Sequence, residues 1–195
     1  APDKAYELNV VRPADAAADG AEGGPWPSLV GEFRRIIDRN RSSLFFVRSR
    51  RASEALAFRI NGGEPVPIAY SHHGSLSKEL RLDVETKLKS GALKAIVATN
   101  SLELGIDIGA LDEVVLVQSP PSIASAVQRV GRAGHRVGAV SRGTFFPTYD
   151  QDIVESAVIA KAVREGDIEA ACPVELGSQT VNSALMGEAK KVVSL

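Results

Sequence analysis

Apolar residues along this chain fall into two alternating rhythms. Leu29, Phe33, Ile36 and Ile37 recur at helical spacing, which predicts an amphipathic helix ending near Asn40. Leu44-Phe45-Phe46-Val47 then runs without a polar break, as a strand covered on both faces does. Ala52, Leu56, Ala57 and Ile60 mark a second helix, capped by Ser49 and stopped by Asn61-Gly62-Gly63. Ile68-Ala69-Tyr70 is the next strand. A helix starts at Ser77, runs through Leu80, Val84 and Leu88, and stops at Ser90-Gly91. Ala95-Ile96-Val97-Ala98-Thr99 and Val114-Val115-Leu116-Val117 are continuous apolar strands, and Ser122 to Val130 is helical between the second of them and a last strand, Gly143-Thr144-Phe145-Phe146. Ile153 to Arg164 closes the series as a helix. Ahead of it all, Leu8 to Val11 reads as a short strand, and Pro13 to Pro27, rich in Ala, Asp and Gly, as a flexible surface loop.

Strands and helices alternating this densely imply right-handed βαβ crossovers, hence an α/β fold with an open parallel sheet and helices on both faces. The aromatic pairs Phe45-Phe46 and Phe145-Phe146 belong in its core rather than on a base-stacking platform. The tail after Pro173 lacks the rhythm and reads as the start of a following segment or domain. Three parts result: residues 1–28 as an N-terminal strand and joining loop, 29–172 as the main lobe, and 173–195 beyond it.

Composition changes this picture little. The chain has 195 residues, 44% hydrophobic and 24% charged, which suits one soluble domain. No apolar run approaches the roughly 20 residues needed to span a bilayer. One cysteine, Cys172, allows no internal disulfide and no cysteine-based metal cluster, in keeping with a cytoplasmic setting. The start at Ala1 suggests a piece of something longer. Net charge is −1, so nucleic acid is not signalled globally. Basic residues nevertheless cluster at Arg34-Arg35, Arg39 to Arg41, Arg48 to Arg51 and Arg129 to Arg142.

Ligands of an open parallel sheet gather at the carboxyl edge of its strands. Four loops there are polar, small and rich in donors: Arg48-Ser49-Arg50, Ser71-His72-His73-Gly74-Ser75, Thr99-Asn100-Ser101 and Ser119-Pro120-Pro121-Ser122. Hydroxyls, backbone N–H groups and helix N-termini can bind phosphates without a net positive charge. His72 and His73, adjacent on an extended segment, point to opposite sides and do not share a metal. A loop meeting a nucleic-acid backbone fits them better, and no metal site is expected.

Two further segments carry chemistry. Gln128-Arg129-Val130-Gly131-Arg132-Ala133-Gly134-His135 places two arginines one helical turn apart, so that both guanidinium groups can point the same way. Such a forked pair suits the charge on a transferring γ-phosphate, while Gly131 and Gly134 permit close backbone approach. Gly131-Arg132-Ala133-Gly134 also has the form of a KH-domain GXXG loop, but strand and helix alternate here for far longer than that fold allows. In Leu104-Gly105-Ile106-Asp107-Ile108-Gly109, Asp107 is badly placed for a core and well placed for a ribose hydroxyl, with Gly105 free to approach a nucleotide. No G-x-G-x-x-G follows a strand, which argues against a nicotinamide enzyme.

Taken in order, Phe46 to Arg51, Ser71 to Ser77, Ala98 to Asp107 and Gln128 to His135 resemble motifs IV, IVa, V and VI of superfamily 2 helicases. The doubled histidine before Gly-Ser-Leu-Ser, and Arg-Ala-Gly-His in the last motif, are similar to the large helicase-related (Lhr) proteins. The resemblance covers roughly Leu29 to Gly166. It implies a RecA-like lobe of P-loop NTPase type without its own P-loop, acting on ATP with Mg²⁺ held mainly by a first lobe. Arg132 would be the principal arginine finger, with Arg129 its partner at the γ-phosphate and Gln128 coupling that site to the strand. Gly105 and Asp107 would meet the ATP. Ser49, Arg48, Gly74, Thr99 and Asn100 would hold the backbone of single-stranded or tailed duplex nucleic acid. The family favours DNA, 3′-to-5′ movement and a role in repair. His135 stands where DEAD-box relatives carry an arginine, which removes that cationic contact.

No G-x-x-x-x-G-K-[ST] occurs in the chain, and no Mg²⁺-holding acidic pair follows an early strand. The chain alone is therefore expected to hydrolyse no ATP. The competing reading is a catalytically inert RecA-like binding or scaffolding module, although such a module has no need of Arg129, Arg132 and Asp107.

Overall fold

A computed structural model describes residues 5–12, 26–102, 109, 111–134 and 140–166. Gly105, Asp107, His135, the expected loop as far as residue 25 and the tail after Pro173 lie outside the described residues. Six strands alternate with helices along the chain: β1 (Tyr6–Val10), α1 (Trp26–Arg39), β2 (Ser43–Phe46), α2 (Arg50–Asn61), β3 (Ala69–His72), α3 (Lys78–Ser90), β4 (Ala95–Ala98), β5 (Glu113–Val117), α4 (Ile123–Val130), β6 (Ser141–Phe146) and α5 (Asp150–Glu165). A single 3₁₀ turn, Asn100–Leu102, follows β4. The strands form one sheet in the order β1-β6-β5-β2-β4-β3, and every pairing is parallel.

Alternation along each strand divides the core into two layers. Leu44, Phe46, Ile96, Ala98, Val114 and Leu116 face α3, α4 and α5. Phe45, Val47, Ala95, Val97, Val115 and Val117 face α1 and α2. Both aromatic pairs are core, as expected, with Phe45, Phe46 and Phe145 fully buried and Phe146 nearly so. Phe33 of α1 packs edge-on against Phe45 at 5.3 Å and Phe146 at 5.0 Å between ring centroids, which locks that helix to two strands. The element readings hold, with boundaries moved by a few residues. β1 opens at Tyr6 rather than Leu8, and β3 runs on to His72. Among the described residues no helix is long and apolar enough to cross a membrane.

At the amino edge of the sheet a buried carboxylate fixes the layers. Glu113, the first residue of β5, accepts from Arg39 Nη2 at 2.8 Å on both oxygens, from Asn40 Nδ2 at 2.8 Å and from Thr144 Oγ1 at 2.7 Å. One side chain thus ties the end of α1 to β5 and β6. Removing it strands three donors, so Glu113→Ala should lower unfolding stability by about 2–3 kcal/mol, discounted because Arg39 is partly exposed. Glu113→Gln, which keeps an acceptor, should lose less. Urea denaturation measures both, and equal losses would show that shape rather than hydrogen bonding matters here.

Candidate nucleic-acid interface

Three serines begin helices at the carboxyl edge. Ser49 Oγ accepts from Ala52 N at 3.1 Å, Ser77 Oγ from Leu80 N at 3.3 Å, and Ser122 Oγ from Ser125 N at 3.1 Å. Each caps a helix whose first N–H groups have no partner within the helix. A hydroxyl that accepts in this way keeps its own O–H to donate, so Ser49 can cap α2 and still offer a hydrogen to a phosphate oxygen.

An open groove of about 540 Å³ lies at the start of α2, lined by Arg48, Ser49, Arg50, Arg51, Thr99 and Asn100. It combines three arginines, two hydroxyls, an amide and the positive end of a helix, a donor-rich surface that suits an anionic backbone. Of the residues expected to hold nucleic acid, Arg48, Ser49, Thr99 and Asn100 come together here. Gly74 does not line the groove. It is exposed on the loop after β3, with nothing within 4 Å of where a Cβ would stand. Arg50 and Arg51 line the groove without having been singled out as contacts, although the basic run from Arg48 to Arg51 was the signal for them.

The groove's floor is braced from below. Arg48 Nη2 donates to Ser119 O and Oγ, both at 3.2 Å, and Ser119 Oγ donates to Glu155 of α5 at 2.8 Å. Asp152, fully buried, accepts from Ser119 N at 2.6 Å and Thr148 N at 2.9 Å, joining the loops after β5 and β6. Neither acidic residue was legible as part of this edge, because both sit on the distant helix α5.

Both histidines are buried and neither is open to a strand. His72 Nε2 meets Glu85 of α3 at 3.0 Å, and His73 Nε2 meets Glu54 of α2 at 3.0 Å. They point to opposite faces of the sheet, as their extended backbone dictates. The loop-contact reading is thus corrected to one of packing. No group of His, Cys, Asp and Glu among the described residues is arranged to hold a metal.

The arginine segment divides in two. Helix α4 ends at Val130, and Arg132 lies in the turn beyond it, half-buried. That turn sits on the amino side of the sheet: Ala133 bridges Leu111 ahead of β5, and Ser141 Oγ at the start of β6 donates to Ala133 O at 2.8 Å. Gly134 has φ +68°, and a Cβ there would stand 2.7 Å from Val140 O, so glycine is required on two counts. Gln128 is exposed on the last turn of α4. Arg129, by contrast, is 4% exposed, donates to Asn100 Oδ1 at 3.0 Å and stacks 5.0 Å from the Phe46 ring. The Arg129 guanidinium is thus turned onto Asn100 and Phe46, while Arg132 stands half-buried in the turn beyond the helix.

Residues 29–137 match the family described as helicase conserved C-terminal domain. A solved structure of helicase Lhr from Mycobacterium smegmatis, bound to ssDNA and AMP-PNP, is 44% identical and superposes with a TM-score of 0.78, covering 85% of this chain and 22% of that one. The C-terminal domain of the DEAD-box protein Dbp5, 19% identical with a TM-score of 0.58 over 85% of this chain and 86% of its own, shares the RecA-like fold. The fold therefore defines a RecA-like helicase lobe. The chain belongs to the helicase C-terminal domain family, in the form found in Lhr-type helicases. The Lhr helicase/uracil glycosylase of Escherichia coli K12 is 40% identical over 203 residues, covering 86% of this chain. The ATP-dependent helicase Lhr-Core of Saccharolobus solfataricus is 35% identical over 191 residues, covering 93%. The chain spans 13% of the first of these relatives and 22% of the second.

Burial holds the His72 imidazole below its ordinary pKa of 6.5, outweighing the opposing hydrogen bond and charge of Glu85. As pH falls through that ordinary value the unfolded chain takes up a proton that the folded chain refuses. Stability is therefore present above it and declines below it, levelling off only at the lowered native value. Unfolding free energy measured across this range should fall with pH, and His72→Gln should flatten the slope. An unchanged slope in that variant would assign the effect to other groups.

Proposed function

We propose that this chain is the second motor lobe of an ATP-dependent nucleic-acid helicase. It grips the backbone of one strand at the carboxyl edge and supplies Arg132 to ATP bound by the first RecA-like lobe. The observation that carries this reading is the groove of Arg48, Ser49, Arg50, Arg51, Thr99 and Asn100 at the start of α2, in a chain of the helicase C-terminal family. Hydroxyls, an amide and helix N–H groups contact phosphate and sugar without reading bases, as a motor that must move along any sequence requires. DNA is the favoured strand, supported by the Lhr relative solved with ssDNA and the MrfA relative, 25% identical, solved with DNA. The resemblance to the same family favours movement in the 3′-to-5′ direction.

Toward the nucleotide, Arg132 in the turn after α4 would meet the phosphate, and Gln128 on the helix's last turn would couple that site to the strand. A guanidinium there would stabilise charge on the transferring group, and Gly105 with Asp107 would meet the ribose side. ATP with Mg²⁺, held mainly by the first lobe, supplies the free energy for closing the two lobes on the strand. The chain carries no Walker A sequence.

In the complete protein, Arg132→Ala should lower strand-stimulated ATP turnover by about a thousandfold. Strand affinity without nucleotide should stay within about twofold of the parent, since the arginine turn and the groove are separate. Unchanged turnover would reject the finger assignment, and the 195-residue chain alone should show no turnover at all.

Thr99→Ala should weaken strand binding, and it is a cleaner test than Ser49→Ala, which also removes a helix cap. Arg50→Ala should reduce the salt dependence of binding by a slope of about 0.7 if it neutralises one phosphate of a single strand. An affinity titration across salt concentrations that leaves the slope unchanged would take Arg50 off the strand.

A further inference from the structure

Arg129 is the one arginine among the described buried side chains. A guanidinium is always charged and offers only donors, so its burial needs acceptors and a polarisable neighbour. Arg129 finds both at the carboxyl edge, in Asn100 Oδ1 at 3.0 Å and the face of Phe46. Its backbone, meanwhile, shapes the other end of α4, because Arg129 O accepts from Arg132 N at 3.0 Å. One residue thus touches the groove with its side chain and the arginine turn with its main chain.

The consequence lies in the Asn100 carboxamide. A donor-only partner can be met only by the amide oxygen, so the assignment of oxygen and nitrogen at Asn100 is dictated by chemistry. With its oxygen turned to Arg129, the Asn100 carboxamide carries its two N–H donors on the other branch. Asn100 is exposed and lines the groove beside Thr99. We propose that Arg129 is a positioning residue for strand binding: it turns the Asn100 carboxamide so that the N–H₂ donor branch meets the nucleic-acid backbone, and it anchors the Arg132 turn to that contact. It is not a second cation at the γ-phosphate. This rests on reading the groove as the strand-holding surface, and it adds a physical link between groove and arginine turn.

The test is strand affinity of the complete protein, measured without nucleotide by fluorescence anisotropy of a labelled single-stranded DNA. Arg129→Met keeps an apolar stem against Phe46 and frees the Asn100 amide. It should weaken binding by about tenfold, the scale of one charge-assisted hydrogen bond. Asn100→Ala should weaken binding similarly, and the double variant should be no weaker than either single one. A γ-phosphate cation would leave this nucleotide-free affinity unmoved, and a purely structural tether would lower the melting temperature without this non-additivity.

If Arg129→Met fails to fold, Asn100→Asp carries the test, because it keeps an acceptor for Arg129 while removing the donors. It should bind strand at least as poorly as Asn100→Ala, and parent-like affinity would overturn the proposal. Loss with Asn100→Ala but affinity within twofold of the parent for a folded Arg129→Met would overturn the positioning role and leave the groove intact. No loss with Asn100→Ala would overturn the groove reading and the proposal with it.

Discussion

A parallel sheet buried on both faces leaves its strands only one place to meet ligands. In β2, β4 and β5 each apolar side chain is taken by one core layer or the other, which leaves ligands the loops where these strands end. The groove of Arg48, Ser49, Arg50, Arg51, Thr99 and Asn100 follows from that confinement. The loops after β2 and β4 are neighbours because β2 and β4 pair directly, in register from Ser43 with Ala95 to Phe46 with Ala98. Residues about fifty apart in sequence therefore form one groove, and the start of α2 adds the positive end of a helix to it.

The same architecture explains why one short segment serves two places. Helix α4 begins at the carboxyl edge beside Ser122 and runs back across the sheet, so the turn after it emerges at the amino edge against Leu111 and Ser141. Gly143 makes room for this helix: a Cβ there would stand 2.9 Å from Val130 Cγ2. Arg129 then reaches back along the helix, as helical side chains tilt toward the N-terminus, and arrives at Phe46 and Asn100.

Periodicity made the fold legible almost completely. Four- and five-residue apolar runs could be nothing else once helices with clear stops separated them, and Ser49 announced its helix by capping chemistry. The groove was half legible, since Arg48, Ser49, Thr99 and Asn100 lie in loops that directly follow strands. What stayed hidden depended on partners far away in the chain. Nothing near His72 or His73 indicates Glu85 or Glu54, and nothing near Ser119 indicates Asp152. Arg129 and Arg132 looked equivalent because spacing carries no information about burial, and Arg129 is buried where Arg132 is only half so.

In the function proposed for it, strand and nucleotide act on separate parts of this lobe, joined through α4. Hydrogen–deuterium exchange of the complete protein tests it most directly, comparing single-stranded DNA alone with a non-hydrolysable ATP analogue alone. The account predicts that the strand protects the backbone at the start of α2 and the turn after β4, whereas the nucleotide protects the turn that follows α4. Strand-induced protection confined to other parts of the chain, with residues 49–52 and 99–102 exchanging as in the free protein, would contradict it.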